Sequence, residues 1–160
     1  MDTYQERLYW QIRRIVHTHA DTDDALQNTF INAFKSLPKF RGESGLYTWL
    51  YRIATNEALG IRRKQSRRPA TLNLEEEAQE RVMSRLSADP FFDGTAAEKL
   101  LYAAIDGLPE RQGQVFRLRY FDEMPYREMS ELLGLSTGAL KASYHHAVKK
   151  IEQYVLKHQA

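Results

Sequence analysis

The chain has 160 residues, 42% apolar and 28% charged, the balance of a folded soluble protein and not of a disordered tail. Its net charge is only +2, and the absence of cysteine excludes disulfides and thiolate metal sites and agrees with a reducing compartment. No run approaches the roughly 20 apolar residues of a membrane span and no signal peptide opens the chain, so a cytoplasmic protein without membrane insertion is expected.

The small net charge conceals an uneven distribution. Residues 1–69 hold 12 Lys and Arg against 7 Asp and Glu, residues 70–98 hold 2 against 7, and residues 99–160 hold 9 against 7. Two basic blocks around an acidic one predict two modules that face nucleic acid and a connector with a different task.

Residues 1–20 read as one helix, with Tyr4, Leu8, Ile12, Ile15 and Val16 on one face and Arg7, Arg13 and Arg14 mostly off it. His17 and His19 are two apart, so they point to different sides of a helix and cannot share a metal ion. From Asp21 a second helix begins. Ala25, Leu26, Thr29, Phe30, Ala33, Phe34 and Leu37 recur at steps of three and four, the period of a half-buried helix. Asp21 is the expected N-cap, and Leu37-Pro38 stops the run because the residue before proline avoids the α region.

The loop that follows, Pro38-Lys39-Phe40-Arg41-Gly42-Glu43-Ser44-Gly45, combines cations, an aromatic ring and backbone freedom. Ser44 can cap a third helix whose apolar stripe is Leu46, Trp49, Leu50, Ile53, Ala54, Ala58 and Ile61, and Arg62, Arg63, Lys64, Arg67 and Arg68 follow. Rings beside cations are what single-stranded nucleic acid needs, since bases stack on rings and phosphates pair with guanidinium. Phe40 and Trp49 also fit a core role, because aromatics at helical spacing are usually buried.

The segment DALQNTFINAFKSLPKFRGESGLYTWLYRIATNEAL resembles the second domain of bacterial RNA polymerase sigma factors of the extracytoplasmic-function group, within the sigma-70 family. Asp24, Gln27, Phe30, Phe40, Ser44, Thr48, Trp49, Leu50, Ile53, Ala54 and Asn56 fill the family's pattern in one register. The resemblance implies that Asp24, Gln27, Asn28, Phe30 and Ile31 dock on the β′ clamp of core RNA polymerase. It implies that the loop Lys39–Ser44, with Phe40 and Arg41, captures a base flipped from the −10 element. Tyr47, Trp49, Arg52 and Asn56 would support the melted edge, and Arg62, Arg63 and the cations through Arg68 would hold upstream phosphates. Members of the group usually carry more helix before this point, so a short first helix is expected here.

Residues 69–97 form the expected acidic flexible linker. Pro69, Pro90 and Gly94 punctuate it, Glu75, Glu76, Glu77 and Glu80 charge it, and Val82, Met83 and Leu86 can form a short helix without a core of its own. By resemblance it threads through the polymerase near the active centre.

Residues 98–160 make the second module. Leu100, Leu101, Ala104 and Ile105 form a first helix face, and Gly107-Leu108-Pro109 closes it. Val115, Phe116, Leu118 and Tyr120 follow, with Arg111, Arg117 and Arg119 around them. Pro125 can open a third helix with Tyr126, Met129, Leu132 and Leu133, which Gly134 ends as a C′ glycine should. Ser136 is the expected N-cap of a fourth helix through Leu140, Tyr144, Ala147, Val148 and Ile151. A short helix, a tight glycine turn and a polar helix start together predict a helix-turn-helix, with Ser130 as the small residue at the crossing. Ser136, Thr137, Gly138 and Lys141, then Ser143, His145 and Lys149, would face a major groove.

This module resembles the fourth sigma domain, which reads the −35 element. Leu108-Pro109-Glu110-Arg111-Gln112, Val115-Phe116, Arg119-Tyr120-Phe121, Tyr126, Glu128, Leu133-Gly134, Gly138, Lys141, His145 and Ala147 carry the likeness. It adds Arg119 and Tyr126 to the −35 contacts and the β flap to the partners. Slots that often hold arginine are Ser143, His146 and Val148 here, so the isolated module is expected to bind weakly.

The whole implies an all-α chain of two small helical domains, 1–68 and 98–160, joined by the linker 69–97. It implies a dissociable initiation subunit, monomeric when free, with promoter DNA, core polymerase and an anti-sigma factor as partners, and with no catalytic residues, metal or cofactor. An enzyme finds no support: no cysteine nucleophile, Gly-rich phosphate loop or metal-spaced histidine pair occurs. A stand-alone helix-turn-helix regulator that binds a palindrome as a dimer is the alternative, and an interaction module that has lost promoter activity is a third reading.

Overall fold

The computed structural model describes residues 2–42, 45–65, 82–84, 86–87 and 94–158. Among these residues every regular element is helical, in keeping with an all-α chain. The helices divide into two compact units.

The first unit holds α1 (Asp2–Val16), α2 (His19–Ser36) and α3 (Leu46–Gln65), each packed on the other two. Its core is Leu8, Ile12, Ile15 and Val16 from α1, Ala25, Leu26 and Ala33 from α2, and Leu50, Ala54 and Ala58 from α3. The alanines keep α2 and α3 close, and buried hydroxyls fit the same narrow seam. Thr22 and Thr29 donate to the carbonyls of Thr18 and Ala25, at 2.6 and 2.7 Å, so neither hydroxyl is left unsatisfied. Gln11 donates to Thr55 at 2.7 Å inside the core, tying α1 to α3. Asp21 of α2 accepts from Gln65, and Asn32 donates to Glu57, so α2 and α3 run antiparallel.

The first two helices break where one helix was expected through residue 20. His17 adopts φ 72°, its N–H bonds the Arg13 carbonyl at 2.7 Å, and Thr18 caps the next helix. The N-cap is therefore Thr18 and not Asp21. The Thr18 hydroxyl accepts from the Asp21 N–H and donates to the Asp21 carboxylate at 2.9 Å. A left-handed histidine costs on the order of 1–2 kcal/mol, which its burial and the new cap offset. Arg13, expected off the apolar face, is buried as well. It donates to the Tyr9 hydroxyl at 3.0 Å. The Tyr9 hydroxyl is in turn hydrogen-bonded to His19 Nδ1 at 2.7 Å, and His19 Nε2 stands 3.1 Å from the Asp23 carboxylate.

The second unit holds α4 (Ala96–Asp106), α5 (Glu110–Tyr120), α6 (Tyr126–Leu133) and α7 (Thr137–His158). The long α7 packs against each of the other three. Ala104, Ile105, Leu108, Phe116, Ala147 and Ile151 form a core, with Leu118, Met129, Leu132 and Leu140 also buried. Thr95 and Glu98 make a reciprocal capping box at the start of α4. Pro109 and Pro125 stand at the caps of α5 and α6. Arg117 is a correction: it lies inside the unit at 6% exposure, where its guanidinium approaches Gly113. A Cβ at Gly113 would meet it at 3.2 Å, so the glycine makes room for the arginine.

Of the connector, residues 82–84 and 86–87 are helical, with Val82 and Leu86 buried, as the short-helix expectation held. The rest of 69–93, with Pro69, the acidic run and Pro90, lies outside the described residues, as do Ser44, Arg67 and Arg68.

Candidate nucleic-acid interface

The outward side of α2 carries Asp24, Gln27, Asn28 and Ile31, while Phe30 turns half inward against the core. Two residues expected in the buried stripe are not there. Phe34 is 79% exposed and Leu37 52%, and with Ile31 at 51% they make an apolar strip beside the polar residues. The sequence held the signal. At about 100° per residue, Phe34 lies more than about 100° around the helix from the centre of Thr22, Leu26, Thr29 and Ala33. Large apolar side chains grouped outward shed water when another surface covers them.

After α2, residues 37–39 tighten into one 3-10 turn with Pro38 at its start, and the Phe40 N–H bonds the Leu37 carbonyl at 3.1 Å. Lys39 and Arg41 are exposed and Gly42 takes φ 72°. The Phe40 ring lies 4.8 Å from that of Trp49, tilted by 34°. Trp49 is half-buried and packs on the core, so it serves both as an anchor and as a ledge. Trp49, Arg52, Asn56 and Arg63 follow at steps of three, four and seven, which keeps them near one face of α3. Arg52, Asn56 and Arg63 are exposed there, and Arg62 is half-buried beside them.

Tyr47 does not join that face. It stacks on Tyr4 at 5.8 Å, and the Arg7 guanidinium sits 3.9 Å from its ring centroid. The same four-residue step that places Tyr47 and Tyr51 together turns both towards α1.

In the second unit the turn between α6 and α7 is built as its residues require. Gly134 adopts φ 70° and ψ 26°, a left-handed conformation that glycine enters without a Cβ penalty, and its N–H bonds the Ser130 carbonyl at 2.9 Å. Ser130 contributes more than small size, because its hydroxyl donates to the Leu135 carbonyl at 2.6 Å and locks the turn. The Ser136 hydroxyl accepts from the Ala139 N–H at 3.1 Å, so Ser136 caps α7. Met129 and Leu132 of α6 and Leu140 of α7 are buried, and the two helices pack against each other.

Seated in this way, α7 presents Ser136, Thr137, Gly138, Lys141, His145 and Lys149 outward, at a helix N-terminus whose dipole favours phosphate. Ser143 lies to the side, half-buried. Arg119 of α5 reaches the same edge. Its guanidinium stands 4.7 Å from the Tyr126 centroid and donates to the Met124 carbonyl at 3.2 Å. Behind the helix, Phe116, Tyr120, Phe121 and Tyr144 form an aromatic stack with centroids 5.0 to 6.4 Å apart. Burial raises the Tyr144 phenol above its ordinary value, with Tyr126 adding and Arg119 opposing, so this ring stays neutral under the basic edge.

Among the described residues no cluster of His, Asp or Glu could hold a metal ion, and no helix is long and apolar enough to cross a membrane.

Comparison with known proteins places both units. The family description "Sigma-70 region 2" matches residues 1–68, and "Sigma-70, region 4" matches residues 98–151. The chain is 30% identical over 158 residues to an ECF RNA polymerase sigma-E factor of Haemophilus influenzae, covering 95% of this chain and 83% of that protein. It is 28% identical over 167 residues to the ECF RNA polymerase sigma-E factor of Escherichia coli K12, covering 95% and 82%. In three dimensions it is similar to the sigma factor RpoE of Bartonella quintana, solved in complex with the anti-sigma factor NepR, with a TM-score of 0.67 at 19% identity, covering 99% of this chain and 94% of that one.

Proposed function

The chain belongs to the sigma-70 family of RNA polymerase sigma factors, in the extracytoplasmic-function group, and from that premise we propose how its two units divide the work. It is an initiation factor that binds core RNA polymerase and directs promoter-specific transcription.

In this reading residues 1–68 and 98–160 are the two working domains and 69–97 the tether. Asp24, Gln27, Asn28 and Ile31, extended by Phe34 and Leu37, dock α2 on the β′ clamp, with Phe30 bracing the helix from inside. The strip fits the role because a protein partner can desolvate it. Lys39, Phe40, Arg41 and Ser44 take a base of the opened −10 element, and Trp49 backs it. Unstacking a base costs a few kcal/mol, and stacking with phosphate contacts can offset that. Arg52, Asn56, Arg62 and Arg63 continue the track along α3. Tyr47 supports the loop through Tyr4 and Arg7 and does not itself touch DNA.

Ser136, Thr137, Gly138, Lys141, His145 and Lys149 meet the −35 element, with Arg119 and Tyr126 behind them and Ser143 at the margin. The β flap receives the second unit. Two weak modules on one tether gain affinity through effective concentration, so specific promoter binding requires the polymerase that sets their separation. An anti-sigma factor that covers these faces is a further partner, in line with the complex in which the Bartonella quintana protein was solved. The free chain is a cytoplasmic monomer without cofactor.

One observation carries this reading. In both units the cations and their ring or hydroxyl companions lie outward on one helix edge, while the opposite edge of the same helix is buried. The test is in vitro transcription with core polymerase on promoter fragments. Start sites that depend on the protein and fade with Trp49→Ala and with Lys141→Ala are expected. A footprint by the protein alone at a symmetric site would overturn the reading in favour of an independent regulator.

A further inference from the structure

Tyr126 stands where three helices of the second unit meet. Its ring, in the first turn of α6, has the Arg119 guanidinium of α5 at 4.7 Å and the Lys141 ammonium of α7 at 5.7 Å from its centroid. The lysine comes from the exposed edge of the helix that follows the turn, and the arginine is fixed a second time by the Met124 carbonyl. Two cations brought to one place repel. An aromatic ring offsets this, because its quadrupole puts negative potential on both faces without adding a net charge that would repel phosphate. A carboxylate at the same position would hold the cations equally well and would oppose DNA. Lysine also ends a flexible stem, and ordering it on a ligand costs entropy. Held near a ring in advance, it gives up part of that freedom before DNA arrives.

We infer that Tyr126 is a positioning residue for −35 reading: its ring, and not its hydroxyl, sets Arg119 and Lys141 on the DNA-facing edge of the helix-turn-helix. This rests on the assignment of α7 to the −35 element. It reassigns Tyr126 from a contact to the support of two contacts, one from each side of the motif.

The experiment uses the full chain with core polymerase. The probe is a promoter fragment that the wild-type holoenzyme selects from a pool randomised over the upstream element, beside the same fragment with that element scrambled. The readout is the ratio of initiation from the two fragments, measured across a salt series. Tyr126→Phe keeps the ratio. Tyr126→Leu lowers it roughly threefold to tenfold, the range for a partly desolvated cation–ring contact. Lys141→Ala lowers it comparably, and adding it to Tyr126→Leu lowers it little further, because both remove one arrangement. Pentafluorophenylalanine at position 126 keeps the shape of the ring and reverses its quadrupole, so it must behave as leucine does while the unit stays folded.

A wild-type ratio for Tyr126→Leu with a reduced ratio for Lys141→Ala overturns the positioning role and leaves the −35 assignment standing. Independent losses in the double variant do the same. A Tyr126→Phe loss as large as that of leucine assigns the effect to the hydroxyl and overturns the role of the ring. An unchanged ratio for Lys141→Ala overturns the −35 assignment and the inference with it.

Discussion

The outward side of α2 and the outward side of α7 are both helix faces with no neighbour in their own unit, yet they are chemically opposite. Along the outward side of α2 and the turn after it, Ile31, Phe34 and Leu37 are exposed beside one acid and two amides. On the first half of α7 they are small, hydroxylated or basic, and the helix starts at a capped N-terminus. The first face gains by losing water, which another protein surface provides. The second gains by pairing charge with phosphate while remaining wet, which suits a groove. Exposure alone therefore does not identify a partner. What is exposed does, and the outward edge of α3 lies between the two, with a half-buried Trp49 among cations.

Four substitutions would break or sharpen this contrast. Leu140→Ala should have the largest effect, because the side chain is fully buried. A loss of about 3 kcal/mol in unfolding free energy is expected, read in chemical denaturation, and it should fall on the second unit. Phe34→Ala should act the other way round. Stability should hardly change, since the ring is 79% exposed, while affinity for core polymerase falls. Loss of an aromatic anchor at a protein interface costs about 2 kcal/mol or more, so a competition titration should show a shift of at least an order of magnitude. An unchanged affinity would remove α2 from the docking surface.

Trp49→Ala should lower promoter opening at fixed polymerase occupancy by about 1–3 kcal/mol, the range of base–aromatic stacking, scored with permanganate on the −10 strand. Some stability is lost with it, because Trp49 also packs on the core. Equal opening by the variant would return Trp49 to a core role alone. Ser136→Ala is the smallest, about 1 kcal/mol from the lost cap, seen as fraying of the first turn of α7 in amide exchange. If −35 use weakens with it while Ser136→Asp restores the cap but not the DNA response, the hydroxyl both caps the helix and faces the phosphates.

Much of this architecture is legible because local physics fixes it. The glycine turn at Gly134 and the cap at Ser136 are decided within four residues, so residue type and spacing are enough. The outward placement of Asp24, Gln27, Asn28 and Ile31 follows from helix period in the same way. Phe34 lies by its angle outside the buried stripe of α2, whereas Leu37 stands beyond the end of that helix, in the 3-10 turn, where the helix period no longer applies. The break at His17 could not be found from period at all. Tyr4, Leu8, Ile12, Ile15 and Val16 run straight up to it, and nothing apolar is out of step.

The amino-acid order by itself determined the helical class, the two-module division, the helix-turn-helix and the family, because each rests on short-range pattern repeated in register. Only the tertiary structure decided which polar groups go inside. Gln11 finds Thr55 across 44 positions of sequence, and Arg13 is drawn in by Tyr9 at a junction with His19. Arg117 is admitted where Gly113 leaves space, and Tyr47 is held against Tyr4 and Arg7 of α1. A buried polar group is tolerated only where its partner stands, and Gln11 finds its partner on another helix, so no reading of α1 by itself could place it.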